Sequence, residues 1–279
     1  MLAIFAGVFL LSCVYLIGYF SETGEAEDEY DQLASIYASA LQQTQGEKPT
    51  QSAGTGTQPG ETQAPTISPS LQPLYDMNPD LVGWLNMPDI KVSYPVVQSP
   101  NRDHFYLDHQ FDGQENMAGC PYVPNNCDVF KPSDNVVIYG HNLKTGAMFR
   151  RLTRYDEKSY WKEHQTFQFS TLYETHTYQI FAVFKTAGTS FKEDGSPWGY
   201  PYHLKSDFDT EEEFNQFIAD VKGAAFKGKN AYKGASFYDT GITPVYGDKL
   251  LCLSTCEYTV KDPNGTTNGR FVVMAVRVD

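Results

Sequence analysis

The polar–apolar pattern changes character three times along the chain. Residues 1–20, MLAIFAGVFLLSCVYLIGYF, carry no charge. A helix needs about 20 apolar residues to cross a bilayer, so this run suffices. A cleaved leader has a shorter apolar core, a basic start and a small-residue cleavage site. None of these stands out, and the run reads as an uncleaved signal-anchor. The acidic flank that follows Phe20 is compatible with an outward location for the rest of the chain. Residues 25–45, EAEDEYDQLASIYASALQQTQ, then place Leu33, Ile36, Tyr37 and Leu41 at helical spacing, which predicts a marginal juxtamembrane helix. Residues 46–70, GEKPTQSAGTGTQPGETQAPTISPS, offer almost nothing to bury and read as a flexible tether. A coil of that length spans on the order of 25–30 Å, enough to hold a domain off a membrane.

From Leu71 the pattern is that of a folded domain. Six segments rich in β-branched and aromatic residues, each bounded by Gly, Pro, Asn or Asp, read as strands. They are residues 90–97, 135–139, 166–170, 177–184, 249–254 and 270–278. A short helix is expected around Pro79 to Leu85. One longer helix is well marked in DTEEEFNQFIADVKGAA, with Phe214, Phe217, Ile218 and Val221 on one face and a capping box at Thr210 and Glu213. Helices do not alternate with strands, so a mainly β barrel or sandwich follows better than a doubly wound sheet. The expected division is an anchor at 1–20, an acidic juxtamembrane segment and linker at 21–70, and a folded domain at 71–279.

Hydrophobic residues make up 41% of the 279 positions, enough for a substantial core. The net charge of −13 argues against a nucleic-acid partner. Its distribution is uneven. Residues 21–70 hold eight acids and one base, so the part from Leu71 onward carries −6.

Five cysteines and six histidines carry the candidate chemistry. Cys13 lies in the apolar run. Cys120 and Cys127 bracket PYVPNN, where a local disulfide is conceivable outside a membrane but two prolines restrict its geometry. A zinc site there lacks the usual ligand spacing. Cys252 and Cys256 would lie about 13 Å apart on one strand face, too far to bridge or to share a metal. Cys252 reads as a small core residue. Cys256, in LSTCEY, sits where the strand runs out, as a packed thiol or as a nucleophile. Nucleophilic work needs a thiolate and a neighbour that holds the anion or moves the proton. His104, His109, His164, His176 and His203 have polar, surface-like settings. His141 instead follows NVVIYG directly, in a turn that projects a side chain. Arg270 opens the final strand 14 residues after Cys256, where a permanent cation would face a thiolate or an oxyanion.

Taken together, His141 in VVIYGHN, Cys256 in LLCLSTCEY and Arg270 in GRFVV resemble the sortases. The stretches NPDLVGWLNMPDIKVSYPVVQSPNRDHFYLDHQFDG and GHNLKTGAMFRRL, with the helix at DTEEEFNQFIADV, resemble their class B branch. The resemblance covers residues 71–279. It implies an eight-stranded β-barrel with N-terminal helices and a helix before the penultimate strand. It also implies a membrane-anchored cysteine transpeptidase of Gram-positive-type bacteria, with the catalytic domain outside the cell and no metal or organic cofactor. Its partners would be surface proteins bearing a C-terminal sorting motif and a peptidoglycan amine acceptor. By the same resemblance Cys256 attacks the motif, His141 serves as acid and then base, and Arg270 positions substrate and steadies the oxyanion. Thr255 helps shape the substrate groove, with Ser254 a weaker candidate. Glu257 reads as solvated surface. A pilin-polymerising sortase, a hydrolytic cysteine peptidase and a silent membrane-tethered binding module are the alternatives. Two features depart from the family pattern, the long segment EYTVKDPNGTTNG between Cys256 and Arg270 and the stretch AGCPYVPNNCD.

Overall fold

No proline interrupts residues 2–46, and in the computed structural model they form one helix, α1 (Leu2–Gly46). The structure describes residues 2–46, 65–188, 199–223, 236–261 and 267–279. The two halves of α1 differ. The first is apolar and exposed, and by length and composition it is sufficient to cross a membrane. The second is docked. Thr23, Ala26, Tyr30, Leu33 and Tyr37 are buried at alternating steps of three and four, which is one helix face. Tyr37 stacks on Trp84 with ring centroids 4.6 Å apart, and the Tyr30 hydroxyl donates to the Gly119 carbonyl. Burying a large apolar side chain such as Leu33 contributes about 1.5–3 kcal/mol. The expected stripe through Leu33, Ile36, Tyr37 and Leu41 is therefore displaced toward the N-terminus, and Leu41 is exposed. This docking precedes the proposed tether, residues 47–64 of which lie outside the described residues. A spacer between membrane and domain is overturned by that order, because the helix reaches the domain first.

The chain rejoins the domain where the Ser68 amide donates to the Leu172 carbonyl. A short helix, α2 (Gln72–Met77), follows. The helix expected around Pro79 to Leu85 is instead strand β1 (Leu81–Met87), whose positions are nearly all buried. An apolar run covered on both faces carries no alternation, and periodicity cannot separate it from a buried helix. Asn78 sets the break. Its amide caps α2 by donating to the Leu74 carbonyl at 3.0 Å, and its side chain donates to Phe111 O and Tyr106 Oη.

The remaining strands are β2 (Val92–Val97), β3 (Asn135–Tyr139), β4 (Thr166–Thr171), β5 (Thr175–Ala187), β6 (Ser236–Asp239), β7 (Leu250–Lys261) and β8 (Thr267–Arg277). They form an eight-stranded sheet in the order β2-β1-β4-β5-β8-β7-β3, with β6 on β5. The β3–β7 pair is parallel and the other pairs are antiparallel. The sheet curls until β2 and β3 approach, and Tyr122 closes the gap by bridging to Val97 on one side and Tyr139 on the other. Helices α3 (Lys158–Glu163) and α4 (Glu211–Val221) pack outside. In α4 the expected face is buried, and Thr210 caps it by accepting from the Glu213 amide. Helix α4 precedes β6, a strand too short to stand out in the sequence, and then the penultimate strand β7.

Candidate active site

The placement of the site follows from strand register. In the parallel β3–β7 pair, Tyr139 lies opposite Ser254. Two residues further on, β3 has ended and the chain turns through Gly140, His141 and Asn142, level with Cys256. On the other flank of β7, Arg270 of β8 lies directly opposite Cys256. Adjacent strands are about 4.8 Å apart, and direct cross-strand partners share a face. A histidine in the turn just past β3, a cysteine on β7 and an arginine on β8 are thus brought side by side. Neither Cys256 nor Arg270 is at a strand end, as the sequence suggests. β7 continues to Lys261 and β8 begins at Thr267. The opening at Cys256 comes from the end of β3, which uncovers that edge of β7. Residues 262–266 of the long connecting segment lie outside the described residues.

Short polar contacts fix this geometry. The Asn142 amide donates to the Cys256 carbonyl at 2.6 Å and its Oδ1 accepts from Arg150. Thr255 Oγ1 donates to the Gly140 carbonyl at 2.7 Å, and the Gly140 amide donates to the Ser254 carbonyl. The turn that carries His141 is therefore tied to the three residues 254–256. His141 Nε2–H donates to the Leu107 carbonyl at 2.6 Å. A carbonyl can only accept, so in the neutral ring Nδ1 is the basic nitrogen. Arg270 donates to the Gly269 carbonyl at 2.9 Å, and among the described residues no carboxylate forms an ion pair with it.

Cys256, His141 and Arg270 line a cavity of about 660 Å³ together with Ser254 and Thr255. Ser254 is buried in its floor, where its hydroxyl meets Tyr202 Oη at 2.6 Å. The wall includes Leu107, Tyr122, Leu204 and two histidines, His104 and His203. Of these, His203 is partly buried and not the surface group expected, whereas His104 is exposed beside Asp103, as expected, and still reaches the cavity. His104 Nδ1 lies 2.9 Å from the Tyr122 hydroxyl. Burial lowers the His203 pKa, helped by Arg270 and His104. His109, His164 and His176 do sit beside surface acids. Nothing in their flanking residues distinguishes the two groups, because separate loops bring His104 and His203 to the cavity. Asn135 holds one of these loops by donating to the Tyr202 and Lys205 carbonyls.

All five cysteines are free thiols. Cys120 and Cys127 are buried, and burial raises the Cys127 pKa to about 11. Cys252 is fully buried and its thiol is pushed well up by desolvation. Glu257 is also buried, at 8% exposure, and not solvated as expected. Its carboxylate accepts from the Thr259 amide, the Thr259 hydroxyl and the Val260 amide. These bonds hold the register shift between Glu257 and Lys261. Gly269 lies opposite, where a Cβ would come within 2.6 Å of the Glu257 carbonyl. Among the described residues, no three His, Cys, Asp or Glu side chains are grouped to hold a metal.

Comparison with known proteins agrees with this architecture. The sortase domain family matches residues 85–278. Sortase B of Listeria monocytogenes is 30% identical over 208 residues, covering 74% of this chain and 73% of the relative. A Staphylococcus aureus sortase B–substrate complex superposes with a TM-score of 0.69 at 21% identity, covering 93% of this chain and 99% of that one. A sortase B complexed with triglycine superposes with the same TM-score at 20% identity, covering 92% and 99%. A curled eight-stranded sheet with its N-terminal helix is the fold of those structures. The chain belongs to the sortase family, in its class B branch, and is a cysteine transpeptidase.

Proposed function

We propose that Cys256, His141 and Arg270 carry the transpeptidation, and that the acyl donor is a C-terminal sorting motif of a secreted protein. The observation that carries this reading is the grouping of three side chains set by the β3–β7 and β7–β8 registers. The Cys256 thiolate attacks the carbonyl carbon of the motif's threonine. As the S–C bond forms, the carbonyl oxygen gains negative charge beside the Arg270 guanidinium, the cation of the site. The C–N bond then breaks, and protonated His141 gives its proton to the leaving amine. The product is a thioester on Cys256. An incoming amine loses a proton to His141 and attacks the thioester carbon, and the S–C bond breaks to release the new amide. Thr255 acts through the turn it ties down, and Ser254 shapes the cavity floor with Tyr202.

The acceptor in this reading is a peptidoglycan amine. Its support is the class B membership and the triglycine bound by the related sortase B. The apolar half of α1 serves as the single membrane anchor, with the barrel on the outer side.

A single assay tests the reading. The full chain in detergent is incubated with quenched sorting peptides, with and without oligoglycine or lysine amines, and adducts are read by mass. A covalent adduct on Cys256 and an amine-dependent product are expected. Cleavage that survives Cys256→Ala in a folded variant would remove the thiol mechanism. Product with the lysine side-chain amine alone would move the function to pilin polymerisation, and products insensitive to amine would make it a hydrolase. The amino end of any shortened chain belongs before Thr23, since removing the docked face of α1 exposes Trp84 and its neighbours.

A further inference from the structure

The direction in which α1 lies on the barrel has a consequence for where the active site sits. Tyr19 belongs to the last turn of the apolar run, and its hydroxyl accepts from the Lys144 amide at 3.0 Å. Lys144 lies in the turn that begins with His141. Asn116 donates to the Glu22 carbonyl in the next turn of the helix. Contacts further along α1 reach the other end of the barrel by Tyr37. Tyr30 reaches Gly119, and Tyr37 reaches Ser170. Ser170 pairs with Thr175, the first residue of β5. The opposite end of β5 holds Thr186, the partner of Arg270. The helix therefore runs from the active-site end to the far end.

The lengths agree with this placement. Tyr19 to Tyr37 is about 27 Å at 1.5 Å per residue, and Thr175 to Thr186 is about 36 Å of strand. The helix is unbroken between its apolar half and its docked half, so no hinge separates the two. The headgroup layer on each side of a bilayer is roughly 5–8 Å thick. Groups level with Tyr19 fall within it.

On the reading that residues 2–20 cross the membrane, the geometry points to the active-site end of the barrel resting against the lipid headgroups. The contacting surface comprises the turn from Lys144 to Gly146 and Tyr258. Lys144 is exposed, Tyr258 is 57% exposed, and the Tyr258 hydroxyl donates to the Asn142 carbonyl, which ties the two parts together. Tyr15 and Tyr19 near the end of the apolar run are of the type found at the membrane–water boundary. The partner of this face is the lipid surface. The cavity then opens at that surface, where a donor whose scissile bond lies just ahead of a membrane-held segment can reach Cys256. An acceptor amine carried on a lipid reaches it the same way.

The test uses the full chain reconstituted in phosphatidylcholine–phosphatidylglycerol vesicles, with Cys13→Ala and Cys256→Ala to silence the two partly exposed thiols. A nitrobenzoxadiazole label is placed at Lys144→Cys or, at the far end, at Glu174→Cys, whose side chains are both on the surface. Lipids with a nitroxide on the headgroup then quench by proximity. The label at 144 should be quenched at least twofold more than the label at 174. Equal quenching, or stronger quenching at 174, in protein that floats with the vesicles overturns the placement while leaving the anchor intact. Protein that does not float removes the anchor and the placement together. Insertion of four glycines after Phe20 should reduce the difference between the two labels, and an unchanged difference would show that the continuous helix is not what sets it.

Discussion

Two positions on β7, one fully covered and one open, use the same kind of residue for opposite purposes. At Cys252 the strand is covered by β3 on one edge and β8 on the other, and the thiol is sealed from water. At Cys256, four residues on, β8 continues but β3 has ended, and the thiol faces a cavity with a histidine and an arginine beside it. The difference arises from the length of the neighbouring strand and not from the cysteine or its immediate sequence. Reactivity is granted by a missing neighbour.

The largest expected effect removes the open end alone. Cys256→Ala should abolish the thioacyl adduct and turnover while circular dichroism and melting remain close to the parent, whereas Cys252→Ala should keep both. Next, Arg270→Ala should lower kcat/KM at least tenfold, about 1.4 kcal/mol of transition-state stabilisation, as read by steady-state kinetics. Retained activity would move the cation's role elsewhere. Glu257→Ala leaves three donors without their acceptor, which should cost about 1–3 kcal/mol in denaturant unfolding. It should also weaken activity through the Arg270 register. At the closed end, Cys252→Ser places a hydroxyl where the thiol is buried. A loss of about 1–3 kcal/mol is expected, with kcat/KM changed less than threefold.

The smallest effect contrasts Glu257 with a poorly satisfied acid on α1. Glu29 Oε1 accepts from the Asp112 amide, but its Oε2 is buried and lacks a hydrogen-bond partner among the described residues. Burial and the Asp112 charge raise its pKa from 4.5 to about 7. The folded chain therefore holds this proton more tightly than the unfolded chain. The resulting stabilisation is full below pH 4.5 and is lost as pH rises through about 7. Melting temperature of the detergent-solubilised chain should fall over that window, and Glu29→Gln should flatten this part of the profile. An identical profile in the variant would remove Glu29 as its source.

Much of this was legible from the chain, and the failures have physical causes. NVVIY, KLLCLS and RFVVMAV were recognisable because turn residues bound each apolar run. LVGWLNM was misread because burial on both faces erases alternation. The docked face of α1 was displaced because its buried residues include Thr23, Ala26 and two tyrosines, which do not register as a strongly apolar stripe. At the candidate site, Cys256, His141 and Arg270 stand out in the sequence because each has a marked local setting, and the three line one cavity. His104, Leu107 and His203 do not, since their only distinction is where distant loops deliver them. Glu257 looked solvated because a carboxylate's burial depends on three donors that no spacing announces.

The parallel pairing of β3 with β7 also dictates an order of events. His141 precedes Cys256 by 115 residues, and Arg270 follows Cys256 by 14. Contacts between such distant segments form slowly, because the loop must close before any pairing energy is gained. A chain that folds from its amino end therefore holds its histidine turn well before Cys256 can join it, and Arg270 joins later still. The candidate site forms only when the β7–β8 hairpin pairs with β3, so its three side chains meet late in folding.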